Sequence, residues 1–187
     1  MLVQRDLAFS VHGKGTFVKT PDISHELNKI ISFSRVLQQK GLQGRTQIQS
    51  YKPDCMDETI ASQIGGEAAC LTLLGYAGQM PVVYYRSYFP PALGEQMWEA
   101  AKQAENTGAA FSTYDLYTRI GVRLGRVEQT ISAVNADREL EASMSLPRGK
   151  ALMVLKSLYY GPSGEPLEYK IGYYRADIYS FHLQRQI

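Results

Sequence analysis

Pro166-Leu167-Glu168-Tyr169-Lys170-Ile171-Gly172-Tyr173-Tyr174-Arg175-Ala176-Asp177 is the stretch on which the fold turns. Its residues alternate with period two, so it reads as a strand with two unlike faces. Leu167, Tyr169, Ile171 and Tyr173 fall on one face, and Glu168, Lys170 and Tyr174 share the other. At roughly 3.4 Å per residue, Glu168 and Tyr174 stand about 20 Å apart. Groups that far apart cannot reach one atom, but they can line the two ends of one pocket, which suits binding better than acid–base catalysis. Glu168 has a second reading, as a solvated cross-strand partner of Lys170 or Arg86.

Working back along the chain, Ala151 to Tyr160 is a second long strand, joined to a strand over Leu167 to Phe181 by Gly161-Pro162-Ser163-Gly164-Glu165-Pro166. Glu67 to Tyr76 and Pro81 to Phe89 form a hairpin around Ala77-Gly78-Gln79-Met80. Thr46 to Tyr51 and Arg126 to Val134 complete the strands, and Leu2 to Val18 holds a hairpin or the remnant of one. Helical spacing runs from Ile23 through Leu27, Ile31, Val36 and Leu37 to a stop at Gly41, and again through Leu93, Met97, Ala101 and Ala104. Shorter helices are expected within Pro53 to Gly66, after Ser112, and from Asn135 to Leu146. Short connections between neighbouring strands predict an α+β fold: a mostly antiparallel central sheet flanked by helices, laid on one face.

Composition narrows the function. A chain of 187 residues with 44% hydrophobic content supports one well-packed domain. Twenty Lys and Arg against 18 Asp and Glu leave a formal charge of +2, too small a field to make nucleic acid the main partner of this domain. Cys55 and Cys70 have no zinc or redox spacing, and with three scattered histidines neither a metal nor a cofactor is implied. No apolar run approaches the roughly 18 residues of a membrane span, so a cytoplasmic protein is expected.

His12-Gly13-Lys14-Gly15-Thr16-Phe17-Val18 superficially resembles a phosphate cradle. It lacks the Gly-Lys-Ser/Thr order and the following helix that such a loop needs. Ser112-Thr113-Tyr114-Asp115 opens a helix; Ser112 there serves as a cap or, less commonly, as part of an anion site. None of His12, His25 and His182 lies in a nucleophile motif, so a hydrolase is unsupported.

Several pieces together resemble the UTRA effector-binding domain of HutC-type members of the GntR transcription regulators. They are Gly13-Lys14-Gly15-Thr16-Phe17-Val18, Ser32-Phe33-Ser34, Pro81 to Pro90, Ser112-Thr113-Tyr114, Leu146 to Tyr169 and Tyr173 to Phe181. The resemblance implies a chorismate-lyase-like fold and a homodimeric, non-enzymatic sensor that modulates a repressor. Residues 1–20 would be the remnant of a DNA-binding wing and linker, and 21–187 the effector domain. Operator DNA would be met only through an N-terminal winged helix-turn-helix, for which the residues before Gly13 are too few. A small polar or anionic effector would contact Ser112, Tyr114, Glu168 and Tyr174. Tyr85 stands where such domains often carry a carboxylate, and Glu67 to Met80 lacks the arginines of sugar-phosphate binders. Anion recognition would then fall to Arg86, Arg123 or Arg126. The competing reading is a lyase on the same fold.

Overall fold

The computed structural model describes residues 8–11, 15–18, 23–28 and 31–186. In chain order these form β1 (Ala8–Val11), β2 (Gly15–Val18), β3 (Ile23–Glu26), α1 (Phe33–Gln39), β4 (Gly44–Lys52), α2 (Glu58–Ile64), β5 (Ala69–Ala77) and β6 (Met80–Phe89). They continue with α3 (Pro91–Glu105), α4 (Thr113–Arg119), β7 (Arg126–Asn135), α5 (Arg138–Ser143), β8 (Ala151–Tyr160), β9 (Pro166–Arg175) and β10 (Tyr179–His182). β1 and β2 pair antiparallel, as the expected hairpin requires, while His12, Gly13 and Lys14 lie outside the described residues.

The centre is a six-stranded antiparallel sheet in the order β4-β5-β6-β9-β8-β7. Alternation sorts its side chains. Leu71, Leu73, Val83, Tyr85, Phe89, Leu155 and Tyr174 meet α1, α3 and α4 in the main core. Leu74, Tyr84 and Leu152 instead meet Leu140 and Met144 of the α5 region, and Tyr88 and Tyr169 meet Ile60 and Ile64 of α2. Helices therefore cover both faces, not one, because β5, β6 and β9 carry apolar or aromatic residues in both alternating sets. A close approach sets the depth of α3: a Cβ on Gly94 would stand 2.4 Å from the Ala69 Cβ, so only glycine lets this helix lie on β5.

Three expectations change. The helix expected from Ile23 begins only at Phe33, where the Ser32 hydroxyl caps it by accepting from the Arg35 N–H at 3.4 Å. Ile23–Glu26 is instead a strand, paired in parallel with β10, and Ile23 is buried there with its N–H bonded to the Ile178 carbonyl at 2.8 Å. Tertiary pairing overrides a helical spacing that continued through this segment. The strand expected from Leu167 to Phe181 breaks after Arg175, where Asp177 accepts from Arg175 at 2.9 Å and pairs with Lys150 at 3.1 Å. Those cations, the Arg175 bond foremost, pull the Asp177 carboxyl down to about 2. The helix expected from Asn135 to Leu146 shortens to α5, because β7 runs on to Asn135 and Asp137 supplies the cap, accepting from the Leu140 N–H at 2.9 Å.

Candidate functional site

β9 reaches the centre of the sheet with Glu168, Lys170, Gly172 and Tyr174 on the main-core face, the division its period-two pattern implies. Above them lies a cleft whose walls come from four directions. Tyr85, Tyr159 and Tyr174 rise from the sheet, Ser112 and Tyr114 come from the start of α4, and Phe33 from α1. His25 and Leu27, from β3 and the turn after it, form the fourth wall. Gly172 leaves the room that the Tyr174 ring uses to fold back over the strand, since a Cβ would stand 2.7 Å from that ring and displace it. Tyr85 and Tyr174 meet edge to face, with centroids 5.8 Å apart, and the Tyr174 hydroxyl donates to that of Tyr85 at 3.4 Å.

At the floor sits a buried ion pair. The Lys170 ammonium donates to the Thr113 hydroxyl at 2.7 Å and stands 3.7 Å from a Glu168 carboxylate oxygen and 4.6 Å from the Tyr159 ring centroid. Burial opposes its charge, but Glu168 and the surrounding tyrosines more than compensate and raise the ammonium above its ordinary value. Glu168 is 0% exposed and, among the described residues, neither carboxylate oxygen has a hydrogen-bond partner at normal geometry, although the Tyr117 hydroxyl lies beside the carboxylate. The hydroxyls of Ser87 and Tyr117 are likewise buried and unpaired. The reading of Glu168 as a solvated cross-strand contact therefore fails: β9 is central, α4 covers it, and Arg86 projects from the opposite face.

Ser112 and Asp115 form a capping box at the start of α4, the Ser112 hydroxyl accepting from the Asp115 N–H while the Asp115 carboxylate reaches back. The Ser112 N–H donates to Asp115 Oδ2 at 2.8 Å and its hydroxyl donates to the same oxygen at 3.0 Å. Ser34 adds a third donor at 3.3 Å. A carboxylate thus already occupies the place an anion would take, so the helix start is a satisfied cap.

Of the eight sequence-derived candidates, Ser112, Tyr114, Tyr85 and Tyr174 line one cleft, while Arg123 borders a neighbouring depression with Tyr117 and Leu124. Glu168 lies behind Lys170 rather than on the wall. Arg86 is elsewhere, bonded to Glu139 at 2.7 Å beneath Tyr84 and Tyr173. Arg126 is exposed on β7, paired with Glu128 and lying over the Tyr160 ring. Sequence reasoning passed over Lys170 and His25. The period-two face holding Glu168 and Tyr174 also contains Lys170, but nothing local marks His25, whose partner is 154 residues away.

His25 Nδ1 lies 2.8 Å from the Tyr179 hydroxyl. Burial, and secondarily the Lys170 charge, lowers the ring's pKa from 6.5 to about 4. The unfolded chain takes up this proton below about pH 6.5, the native ring only near 4, so the stabilisation is complete above 6.5 and drains away as pH falls toward 4. The difference is worth on the order of 3 kcal/mol. Urea unfolding at pH 7 and pH 4.5 is expected to show most of that loss, and His25→Gln to flatten the dependence.

Residues 39–180 match the sequence model of a family described as UTRA domain. Among curated proteins the chain is similar to the HTH-type transcriptional regulator Rv0792c of Mycobacterium tuberculosis. The two are 24% identical over 171 residues, which is 90% of this chain and 62% of that protein's length. It is also similar to the HTH-type transcriptional repressor NagR of Bacillus subtilis, 24% identical over 185 residues, or 96% of this chain and 73% of that one. Among solved structures, PhnF from Mycobacterium smegmatis superposes with a TM-score of 0.77 at 18% identity, covering 99% of this chain and 80% of that one. The effector domain of PhnF gives 0.72 at 17% identity, covering 88% of this chain and all of that one.

Proposed function

Because the chain belongs to the UTRA domain family, we propose that it is the effector-sensing and dimerising part of a HutC-type GntR transcription regulator acting in the cytoplasm. Residues 1–20 serve as wing remnant and linker, and 21–187 as the sensor. Operator DNA is bound through an N-terminal winged helix-turn-helix, and a small molecule in the cleft shifts the balance between interdomain arrangements. One observation carries this reading. β3, the segment between the β1–β2 hairpin and the sheet, supplies His25 to the cleft, so an occupant touches both the sensor and the connection to what precedes it. Rv0792c and NagR are named as regulators, which agrees.

The geometry favours sensing over a lyase. A base whose conjugate acid titrates near 4 is poorly matched to proton abstraction at neutral pH, and His25 touches a tyrosine hydroxyl rather than a serine or cysteine.

The two sheet edges differ in a way that supports a dimer. On β4, the Ile48 N–H donates to the Glu105 carboxylate at 2.7 Å, the Thr46 N–H to the Ala109 carbonyl at 3.4 Å, and α3 packs alongside. β7 is ten residues long and almost wholly exposed, with Ile131 at 43% and Val134 at 41%. A long exposed edge carrying apolar residues is a template for strand addition, and a second copy pairing there would also border Gln129 at the cleft rim. Sedimentation analysis is expected to find a dimer that Ile131→Lys with Val134→Lys converts to monomer. Calorimetric screening of sugars, amino acids and carboxylates is expected to yield a ligand that Ser112→Ala and Tyr174→Phe each weaken at least tenfold. Finding no such ligand would sink the sensing proposal.

A further inference from the structure

Resting on the effector-sensing reading, we infer that the cleft selects a small molecule without net charge, one presenting neutral acceptors such as hydroxyl oxygens to Lys170, and rejects phosphate esters. Lys170 is the one residue with a formal charge among the described residues lining the cleft, His25 being neutral. Its ammonium has three N–H donors. Thr113 takes one at 2.7 Å, and Glu168 at 3.7 Å is too distant for a normal hydrogen bond. A guest's oxygen can therefore use what remains.

The charge itself is already spoken for. Glu168 stands directly behind Lys170, fully buried, and Asp115 holds the Ser112 end of the cleft. Lys170, Glu168 and Asp115 together carry a formal charge of −1. A phosphate dianion would add to two nearby carboxylates with one cation to answer it, in surroundings of low polarisability where such repulsion is weakly screened. None of the three arginines named for anion recognition lines the cleft: Arg86 is engaged with Glu139 on the far face, Arg126 with Glu128 on the edge, and Arg123 borders a neighbouring depression beside Tyr117 and Leu124. What the walls offer instead is neutral: the rings of Tyr85, Tyr159 and Tyr174, the Ser157 hydroxyl and the Gln129 amide. Flat rings beside uncharged hydrogen-bonding groups suit a compact guest with one apolar face and several hydroxyls, admitted as the walls part, since the closed cleft leaves only about 30 Å³ free.

The charge claim is tested without knowing the effector. Millimolar sulfate or phosphate, against chloride of equal ionic strength, is expected to leave the thermal midpoint of the protein unchanged. Glu168→Gln, which leaves the ammonium unopposed, is expected to gain a stabilisation by sulfate. Stabilisation of the unaltered protein by either anion, abolished by Lys170→Met, would overturn the inference. Titration with matched pairs then asks for the class: glucose against glucose 6-phosphate, and tyrosine against 4-hydroxyphenylacetate. The member without net charge is expected to bind at least tenfold more tightly, and tighter binding of the anion would overturn the inference while leaving effector sensing intact. A screen in which no compound of any charge class binds would count against effector sensing itself, with the sulfate experiment still deciding the charge claim. If Glu168→Gln fails to fold, the unaltered protein's responses to the anions and the matched pairs decide the question.

Discussion

Lys170→Met is expected to lower the unfolding free energy by about 3–5 kcal/mol, because it removes the cation that faces the buried Glu168 carboxylate. For a domain of this size that corresponds to a fall in Tm of roughly 10 °C. The double substitution Lys170→Met with Glu168→Leu should recover most of the loss, since a buried ion pair replaced by apolar groups of similar volume is often close to neutral. Urea titration of the single and double variants gives the coupling directly. If the two single effects simply add, the residues do not act as a pair, and the account of the cleft floor is wrong. The result matters for function because it measures what the protein gives up to keep charge in its interior. A pair that contributes little net stability, yet is costly to break, persists for what it can recognise.

Phe33→Ala is expected to cost about 3–5 kcal/mol, the usual loss when a buried aromatic leaves a cavity that its surroundings cannot fill. Phe33 is 2% exposed and meets Tyr85 edge to face at 6.5 Å. Its ring also occupies the space that Gly75 leaves open, where a Cβ would stand 2.7 Å from the ring edge. Collapse is therefore limited by backbone on one side and a tyrosine on the other. Because Phe33 also lines the cleft, the same variant should weaken whatever compound the screen identifies. Chemical denaturation reads the stability, and a loss under about 1 kcal/mol would mean that the site relaxes in a way this packing does not allow.

The central strands were legible because period-two alternation needs no tertiary information. Pro166 to Arg175 could be assigned to a strand, and its Glu168, Lys170 and Tyr174 to a shared face, from spacing alone. What stayed hidden was partnership. β3 carries helical spacing and becomes a strand only because β10 comes alongside, and His25 enters the cleft through the same long-range pairing. Burial was hidden for a related reason. Glu168 on a two-faced strand looks like a solvent contact until α4 is placed over it, and both sides of the sheet proved to be covered. Arg86 shows the converse: the lack of arginines from Glu67 to Met80 offered it for anion recognition, but it lies one residue from Tyr85, on the other face with Glu139.

The parallel pairing of β3 with β10 has a mechanical side. Because the strands run the same way, the chain entering β3 and the turn entering β10 lie at one end of the pair. A load arriving ahead of Ile23 therefore opens the bonds one after another, beginning with Ile23 to Ile178, instead of shearing all of them at once. Peeling separates paired strands over a lower barrier than shearing does. The pairing also closes nearly the whole length of the chain into a loop, an entropic cost offset by burying Ile23, Ile178 and Tyr179 in the main core. A latch loaded from one end, with a guest resting against its inner side, is a place where a few kilocalories of binding can decide whether the connection is fastened or loose.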